Sequence, residues 1–250
     1  MRTELLIDAD IMIYKTASST EVPINWEGDF WTLHCDFAQT KKLISDQIHA
    51  LVDKVKADSV LLCFSHHENF RKLLNPEYKL NRKKVRKPMC LNPAKEYCKE
   101  EFKWLEKPWL EADDVMGILA TKDSETRFVI SSEDKDLLTI PGFHWDAENE
   151  VVWEQTKDAA DYTFYKQILT GDSTDNYSGC PGIGPKKAEA QLQNLKTEVE
   201  LWNAVRNCFI SRKLSDQVAI TQARMARILR DGEYSSNYNE PMYWNPPLER

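Results

Sequence analysis

Thr3-Glu4-Leu5-Leu6-Ile7-Asp8-Ala9-Asp10 sets an apolar triplet directly before two carboxylates. A short apolar run of this kind suits a strand buried on both faces. Its acids then lie at the carboxyl end, where open α/β sheets place their sites. Asp8 as a cap of the following helix is the structural alternative. From Asp36 to Lys56, Phe37, Ile44, Ile48, Leu51, Val52 and Val55 recur at helical spacing, with Asp36 as the cap. That helix leads to a second apolar run, Val60 to Phe64, and Arg127 to Ser132 is a third. Strand, helix, strand without a hairpin signal means a parallel crossover. The expectation is an α/β fold, a mostly parallel central sheet flanked by helices.

Between these elements the reading is coarser. Residues 20–34, with Trp26, Phe30 and Trp31, form a surface excursion whose aromatics pack back on the core. Residues 93–106 read as a helix, and Phe143 to Trp145 and Val151 to Trp153 as short strands. Helices follow over 158–170, 197–209 and 215–230, the last capped by Ser215 and stopped at Gly232. Arg224, Arg227 and Arg230 then share one helix face, either as a solvated stripe or as phosphate contacts.

The chain has 250 residues, enough to bury a full core, with 42% hydrophobic and 29% charged residues, ordinary for a globular protein. No stretch approaches the roughly 18 apolar residues of a membrane span, and Leu5-Leu6-Ile7 runs straight into acids rather than forming a signal sequence. The expected location is cytoplasmic. The six cysteines have no zinc-like spacing and read as reduced thiols. Net charge is −7, yet residues 71–87 hold eight Lys or Arg against Glu77 alone, a local +7 that leaves −14 for the rest. A segment that needs an anion thus coexists with acids that need cations.

The acids form four clusters. Asp8 and Asp10 end the first strand, and Asp134 and Asp136 follow the third. Glu111, Asp113 and Asp114 open a helix, a place that suits acids in any protein. Asp172 and Asp175 precede a turn, Pro181-Gly182-Ile183-Gly184-Pro185. A parallel sheet brings such clusters to one edge, where they repel and raise one another's pKa unless cations neutralise them. All-oxygen ligands select Mg²⁺ or Mn²⁺. The turn exposes backbone N–H groups at the head of a helix opening with Lys186 and Lys187, an arrangement that holds phosphate or is only a tight turn between helices. In the basic segment, Tyr78 lies among positive charges, which suits a nucleic-acid strand, whereas a merely solvated loop is the alternative.

Taken together, Ile-Asp-Ala-Asp (7–10), Asn-Pro-Glu-Tyr-Lys-Leu-Asn-Arg (75–82), Leu-Glu-Ala-Asp-Asp-Val-Met-Gly (110–117), Ser-Ser-Glu-Asp-Lys-Asp (131–136) and Gly-Asp-Ser-Thr-Asp-Asn-Tyr-Ser-Gly-Cys-Pro-Gly-Ile-Gly (171–184) resemble the 5′ nuclease or flap endonuclease family, above all the 5′ to 3′ exonucleases of tailed phages. Five motifs in order span nearly the whole chain. The resemblance implies a nuclease α/β domain over 1–157 with a helical arch at about 66–107, a helical DNA-binding region with a helix-hairpin-helix over 158–232, and an irregular tail over 233–250. It implies that Asp8, Glu111, Asp113 and Asp114 hold or orient one metal ion and that Asp134, Asp136, Asp172 and Asp175 serve a second. Lys79 and Arg82, with Tyr78 and Lys83 beside them, match residues placed over the scissile phosphate. Gly182, Gly184, Lys186 and Lys187 fall in the duplex-gripping turn, which in the family often binds K⁺ through carbonyls. An acid usual after the second strand is missing here, and His66 is the nearest stand-in, as a ligand or as an ordinary surface histidine.

The implied chemistry is metal-assisted hydrolysis of DNA phosphodiesters, with ions about 4 Å apart. The catalytic set is Asp8, Glu111, Asp134, Lys79 and Arg82, and no Ser or Cys sits beside a base for a covalent route. Partners would be duplex DNA with a 5′ end or flap, or an RNA–DNA hybrid, bound by a monomer. Two rivals stand. Ile-Asp-Ala-Asp also resembles the nucleophile site of haloacid-dehalogenase-type phosphatases, and the missing acid would suit a non-catalytic DNA-junction binder.

Overall fold

The computed structural model describes residues 1–247; the last three positions of the expected tail, 248–250, lie outside the described residues. At its centre is β1 (Arg2–Asp8), followed at once by α1 (Ala9–Ser19). Leu5 and Ile7 point into one apolar cluster and Leu6 into another, the two-residue alternation of a strand covered on both faces. A hairpin of β2 (Glu21–Glu27) and β3 (Phe30–Cys35) comes next, then α2 (Phe37–Val55) and β4 (Ser59–Phe64). Asp36 caps α2 by accepting from the Ala38 and Gln39 amides at 2.9 and 3.2 Å. β4 pairs with β1 in parallel, Leu6 opposite Leu61, as the crossover argument requires.

The basic segment holds only the single turn α3 (Arg71–Leu74) and a 3-10 turn over Leu80–Lys84. α4 (Leu91–Glu101), β5 (Trp104–Glu106), α5 (Ala112–Ala120), β6 (Thr126–Ser131), β7 (Gly142–Asp146) and β8 (Val151–Gln155) complete the sheet region. The sheet order is β5-β4-β1-β6-β7-β8, parallel throughout except β8. Because the first five strands run one way, their carboxyl ends share one edge. α1, α2 and α4 cover one face, and α5 covers the other. α6 (Lys157–Thr170), α7 (Pro185–Leu192), α8 (Glu198–Ile210) and α9 (Asp216–Ala226) surround a third cluster built on Phe164, Ile168, Leu192, Trp202 and Phe209. At Gly117 a β-carbon would lie 2.3 Å from the Leu229 carbonyl oxygen, so only glycine lets the chain after α9 cross α5.

Several expectations are corrected. The surface excursion over 20–34 is the β2–β3 hairpin, but its aromatics do not pack back on the core: Trp26, Phe30 and Trp31 are 60%, 64% and 59% exposed. The reading of six reduced thiols also fails, since Cys35 and Cys90 form a disulfide with Cα atoms 6.6 Å apart, while Cys63, Cys98, Cys180 and Cys208 are buried and free. The helix expected over 93–106 stops at Glu101 and gives way to β5. α9 stops at Ala226, where Arg227 turns extended, so the three arginines share no helix face. Instead Arg227 pairs with Glu233 at 2.6 Å and Arg230 with Asp161 at 2.7 Å, and Arg224 donates to the Trp244 carbonyl at 3.0 Å. The tail contains the short pair β9 (Tyr234–Ser235) and β10 (Glu240–Pro241), and Trp244 packs edge-on against Phe164 and Trp202.

Candidate metal centre and nucleic-acid interface

The sheet edge delivers the first set of acids. Asp8 ends β1, is buried, and caps α1 by accepting from the Ile11 amide at 3.0 Å, so the structural and functional roles coincide. Burial lifts its carboxyl to about 7, with Asp10 and Asp134 adding to the rise and the Ile11 amide and Lys79 opposing it. β5 leads into the α5 N-terminus, whose capping box joins Glu111 and Asp114. Burial pushes Asp113 well up, and the charges of Asp8, Glu111 and Asp134 push the same way against Lys79. Among the described residues, Asp113 Oδ1 is a buried oxygen with no hydrogen-bond partner. Such an oxygen costs free energy unless something electropositive meets it. Glu111 goes the opposite way: burial would raise it, but Lys79 and Arg71 hold it down at about 2.

Asp114 departs from a direct ligand role. Its oxygens accept two 2.7 Å bonds from Arg71, one at 3.1 Å from the Leu229 amide and one at 3.1 Å from the Glu111 amide. That leaves it to orient the α5 N-terminus. Arg71, counted in the basic segment, is 3% exposed and also donates to the carbonyls of Met225 and Arg227 at 3.1 and 2.5 Å. It is a buried clamp between α5 and the chain beyond α9, and no local pattern in the sequence announced it.

The second set lies on loops. Asp134 caps the 3-10 turn Lys135–Thr139 through the Asp136 amide at 2.9 Å. The Lys135 ammonium bridges Asp136 and Asp172 at 2.9 and 3.0 Å. Burial raises Asp136, with Asp134 and Asp172 adding to it against Lys135. For Asp172 burial is outweighed by Lys135 and the amides of Thr174 and Asp175, which hold the carboxyl below its usual range. Gly171 and Gly179 close this loop; both have positive φ, and a β-carbon on either would lie within 2.6 Å of the other's backbone.

The basic segment is laced to that loop. The Lys79 amide donates to the Asp175 carbonyl at 3.0 Å, and Asn81 donates to the carbonyls of Ser173 and Thr174. Lys79 Nζ lies 2.5 Å from Glu111 and 3.4 Å from Asp175, and Arg82 lies 2.6 Å from Asp175. Tyr78 is buried, its hydroxyl 2.7 Å from Glu111 and 2.9 Å from Asp175, so its ring offers no face to a base. Lys83 is exposed. His66 Nδ1 accepts from the Glu68 and Trp109 amides at 3.2 and 3.3 Å, which commits that nitrogen to the loop rather than to the acids. Ser65, directly after β4, donates its amide to Asp10 at 2.8 Å.

All four predicted clusters therefore reach one edge and act on one another electrostatically. Their oxygens remain spread by the cations set between them. Among the described residues, the group whose ligand atoms all lie within 4.8 Å is His66, His67 and Glu68. The all-oxygen donor set and the unpartnered Asp113 Oδ1 fit hard divalent ions.

Beyond the site, Gly182 and Gly184 face open space, with nothing within 4 Å of a β-carbon on either. Gly184 is the N-cap of α7, Pro185 follows at its first turn, and Lys186 and Lys187 are exposed. The Gly182 carbonyl accepts from Lys187 Nζ at 3.0 Å, and the Pro181 carbonyl accepts from Arg212.

A family model described as 5′-3′ exonuclease, N-terminal resolvase-like domain, matches residues 4–163. The chain is 32% identical to the exodeoxyribonuclease of Enterobacteria phage T3 over 97% of this chain and 92% of that protein. It is 31% identical to the exonuclease of Escherichia phage T7, over 97% and 93%. A solved complex of the phage T5 D15 flap endonuclease with DNA and metal ions superimposes with a TM-score of 0.65 at 15% identity, covering 90% of this chain and 89% of that one. At that identity the likeness is one of fold.

Proposed function

The chain belongs to the 5′-3′ exonuclease family, and we propose that it hydrolyses phosphodiesters of double-stranded or flapped DNA in the 5′-to-3′ direction by two-metal catalysis. The observation that carries this reading is the buried Asp113 oxygen without a partner, within electrostatic reach of Asp8, Lys79, Glu111 and Asp134. Asp8, Glu111 and Asp113 would hold one Mg²⁺ or Mn²⁺, and Asp134, Asp136, Asp172 and Asp175 a second, with Asp114 orienting Glu111. When bound, such ions supply Lewis-acid charge stabilisation and lower the pKa of an attacking water.

The chain's own residues do the rest. Lys79 and Arg82, now paired with Glu111 and Asp175, stand where a phosphate would share them, and cations there stabilise charge developing on its oxygens. Tyr78 keeps Glu111 and Asp175 at a fixed spacing through its hydroxyl. Lys83 meets the strand beyond. The amides and lysines at 182–187 grip duplex backbone, a contact blind to sequence and steeply weakened by salt. A K⁺ ion at that turn would compete with Lys187 for the Gly182 carbonyl. An RNA–DNA hybrid falls within the same reading, since backbone contacts carry it. We place the enzyme, as a monomer, in the cytoplasm of a phage-infected cell.

The test uses 5′-labelled and 3′-labelled duplexes, with and without a 5′ flap, incubated with Mg²⁺. Short 5′ products are expected, lost in Asp134→Ala, while Lys186→Ala weakens binding and lowers the salt slope by about 1. Tight junction binding in EDTA with no cleavage in Mg²⁺ would overturn the catalytic reading.

A further inference from the structure

The β2–β3 hairpin is a two-stranded ribbon tied down only near its base. Cys35 is bonded to Cys90, and Glu21, paired across the ribbon with Cys35, receives the Arg86 guanidinium and the Met89 amide, the latter at 2.6 Å. One face of the ribbon is therefore the face joined to the far end of the basic segment. Cross-strand pairing puts Trp31 opposite Asn25, Leu33 opposite Pro23 and Cys35 opposite Glu21, so by the two-residue period Trp31 and Leu33 lie on that same face. Trp26 belongs to the other face, where its indole N–H donates to Thr32 at 2.7 Å, and Phe30 shares that face with Thr32.

The basic segment is a track with two ends. Tyr78, Lys79 and Arg82 sit on the acids, and Arg86 to Cys90 sit at the hairpin base. A strand that follows those cations away from the site arrives at a face that beyond Glu21, which Arg86 already meets, carries only Pro23, Asn25, Leu33 and a large ring, Trp31, 59% exposed and about 13 Å further along β3 from Cys35. A cationic groove that delivers a backbone to an exposed aromatic is the arrangement that binds single strands without reading sequence. Glu27 and Asp29 at the tip repel a polyanion and end the track at Trp31.

We propose that this face of the hairpin is a stacking platform for the single-stranded 5′ end of DNA where it leaves the basic segment, with Trp31 as the ring that receives a base. The inference rests on the reading of the site given above and adds to it a contact outside the acids and the duplex-gripping turn.

Fluorescence anisotropy in EDTA tests it, with one duplex in two forms, blunt and carrying an oligothymidine 5′ flap. Trp31→Ala should weaken the flapped form about tenfold and leave the blunt form unchanged. Trp31→Phe should keep most of the flap affinity, which separates stacking from a collapsed ribbon, and Phe30→Ala on the opposite face should change neither. Photocrosslinks from 5-iodouracil in the flap should map to Trp31. Equal flap affinity for the parent and Trp31→Ala, or crosslinks confined to residues outside 21–35, would overturn the platform and leave the aromatics to a protein partner. If the parent fails to cut either duplex in Mg²⁺, the functional reading itself is at fault; cutting retained with an unaltered Trp31→Ala affinity defeats the platform alone.

Discussion

The two acid clusters solve the same electrostatic problem differently. Asp8 and Asp113 are buried, and burial raises both carboxyls, favouring their protonated forms. Asp136, Asp172 and Asp175 sit on loops and are met by Lys135 and Arg82. A divalent ion entering the first cluster therefore meets carboxyls that favour their protons beside the Lys79 ammonium on Glu111, whereas one entering the second meets Lys135 and Arg82. The strand end at Asp8 and the helix N-terminus at Asp113 are fixed by packing on the sheet, which holds like charges together, whereas the loops of the second cluster have counter-ions set between their acids.

The sharpest way to break this contrast is to neutralise one acid from each side. Asp113→Asn should cut the rate on 5′-labelled duplex by more than the about 10–100-fold typical of losing a metal's outer partner. It should also raise the melting temperature in EDTA, by about 2–4 °C for each kcal/mol of repulsion relieved. Asp172→Asn should lose activity too, but lower the melting temperature, since the Thr174 and Asp175 amides donate to its carboxylate and favour its charge against burial. Shifts of the same sign in the two melting curves would show that the clusters are not distinct.

Arg71→Met probes what holds the first cluster in place. It strips two charge-assisted bonds from Asp114, which is 0% exposed, and breaking a buried pair in this way costs about 3–5 kcal/mol. Urea unfolding should report that loss, with Arg71→Lys intermediate because an ammonium cannot reproduce the forked geometry.

pH separates the clusters next. The folded-state pKa of Asp8, about 7, stands above its ordinary value near 4, so the folded state binds its proton more tightly than the unfolded chain. Metal-free stability should fall as pH rises from about 4 to about 7 through Asp8, and Asp113, raised by burial in the same direction, adds to the fall. Glu111, held near 2, contributes the opposite way: its stabilisation is present above about pH 4 and lost as pH falls through 2. Melting scans in EDTA across this range check the slope, and Asp8→Asn should flatten it.

These contrasts show which parts of the molecule a sequence can carry. β1, β4 and β6 are apolar runs buried on both faces, and Asp8 and Asp134 sit at or just past strand ends, so their arrival at one sheet edge followed from pattern and parallel topology, whereas Glu111 and Asp113 open a helix and their part in a metal site came from the family resemblance. What escaped was fixed by distant partners. Arg71 looked like one more surface cation, yet its counter-ion is 43 residues away and buried. Tyr78 read as a stacking ring because its neighbours are basic, whereas the acids it bridges lie 33 and 97 residues on. Cys35 and Cys90 are joined across 55 residues with no motif to pair them, and β5, three residues long, is too short to leave a period.

The smallest effect falls on the second cluster. Lys135 is an exposed side chain, 74% accessible, so its bridge between Asp136 and Asp172 contributes little to folding. Its charge nonetheless stands between the carboxylates that would hold an ion, and a cation already there must be moved aside. Lys135→Ala should therefore leave the melting temperature nearly unchanged and shift the Mg²⁺ titration of activity to lower concentration by a few-fold. The two carboxyls would at the same time lose the ammonium that favours their charge, so the gain should shrink as pH falls and protons take its place. A Mg²⁺ requirement that instead rises in Lys135→Ala at neutral pH would mean that the lysine spaces the loops for the ion rather than competing with it. The second cluster would then be as dependent on its preset frame as the first.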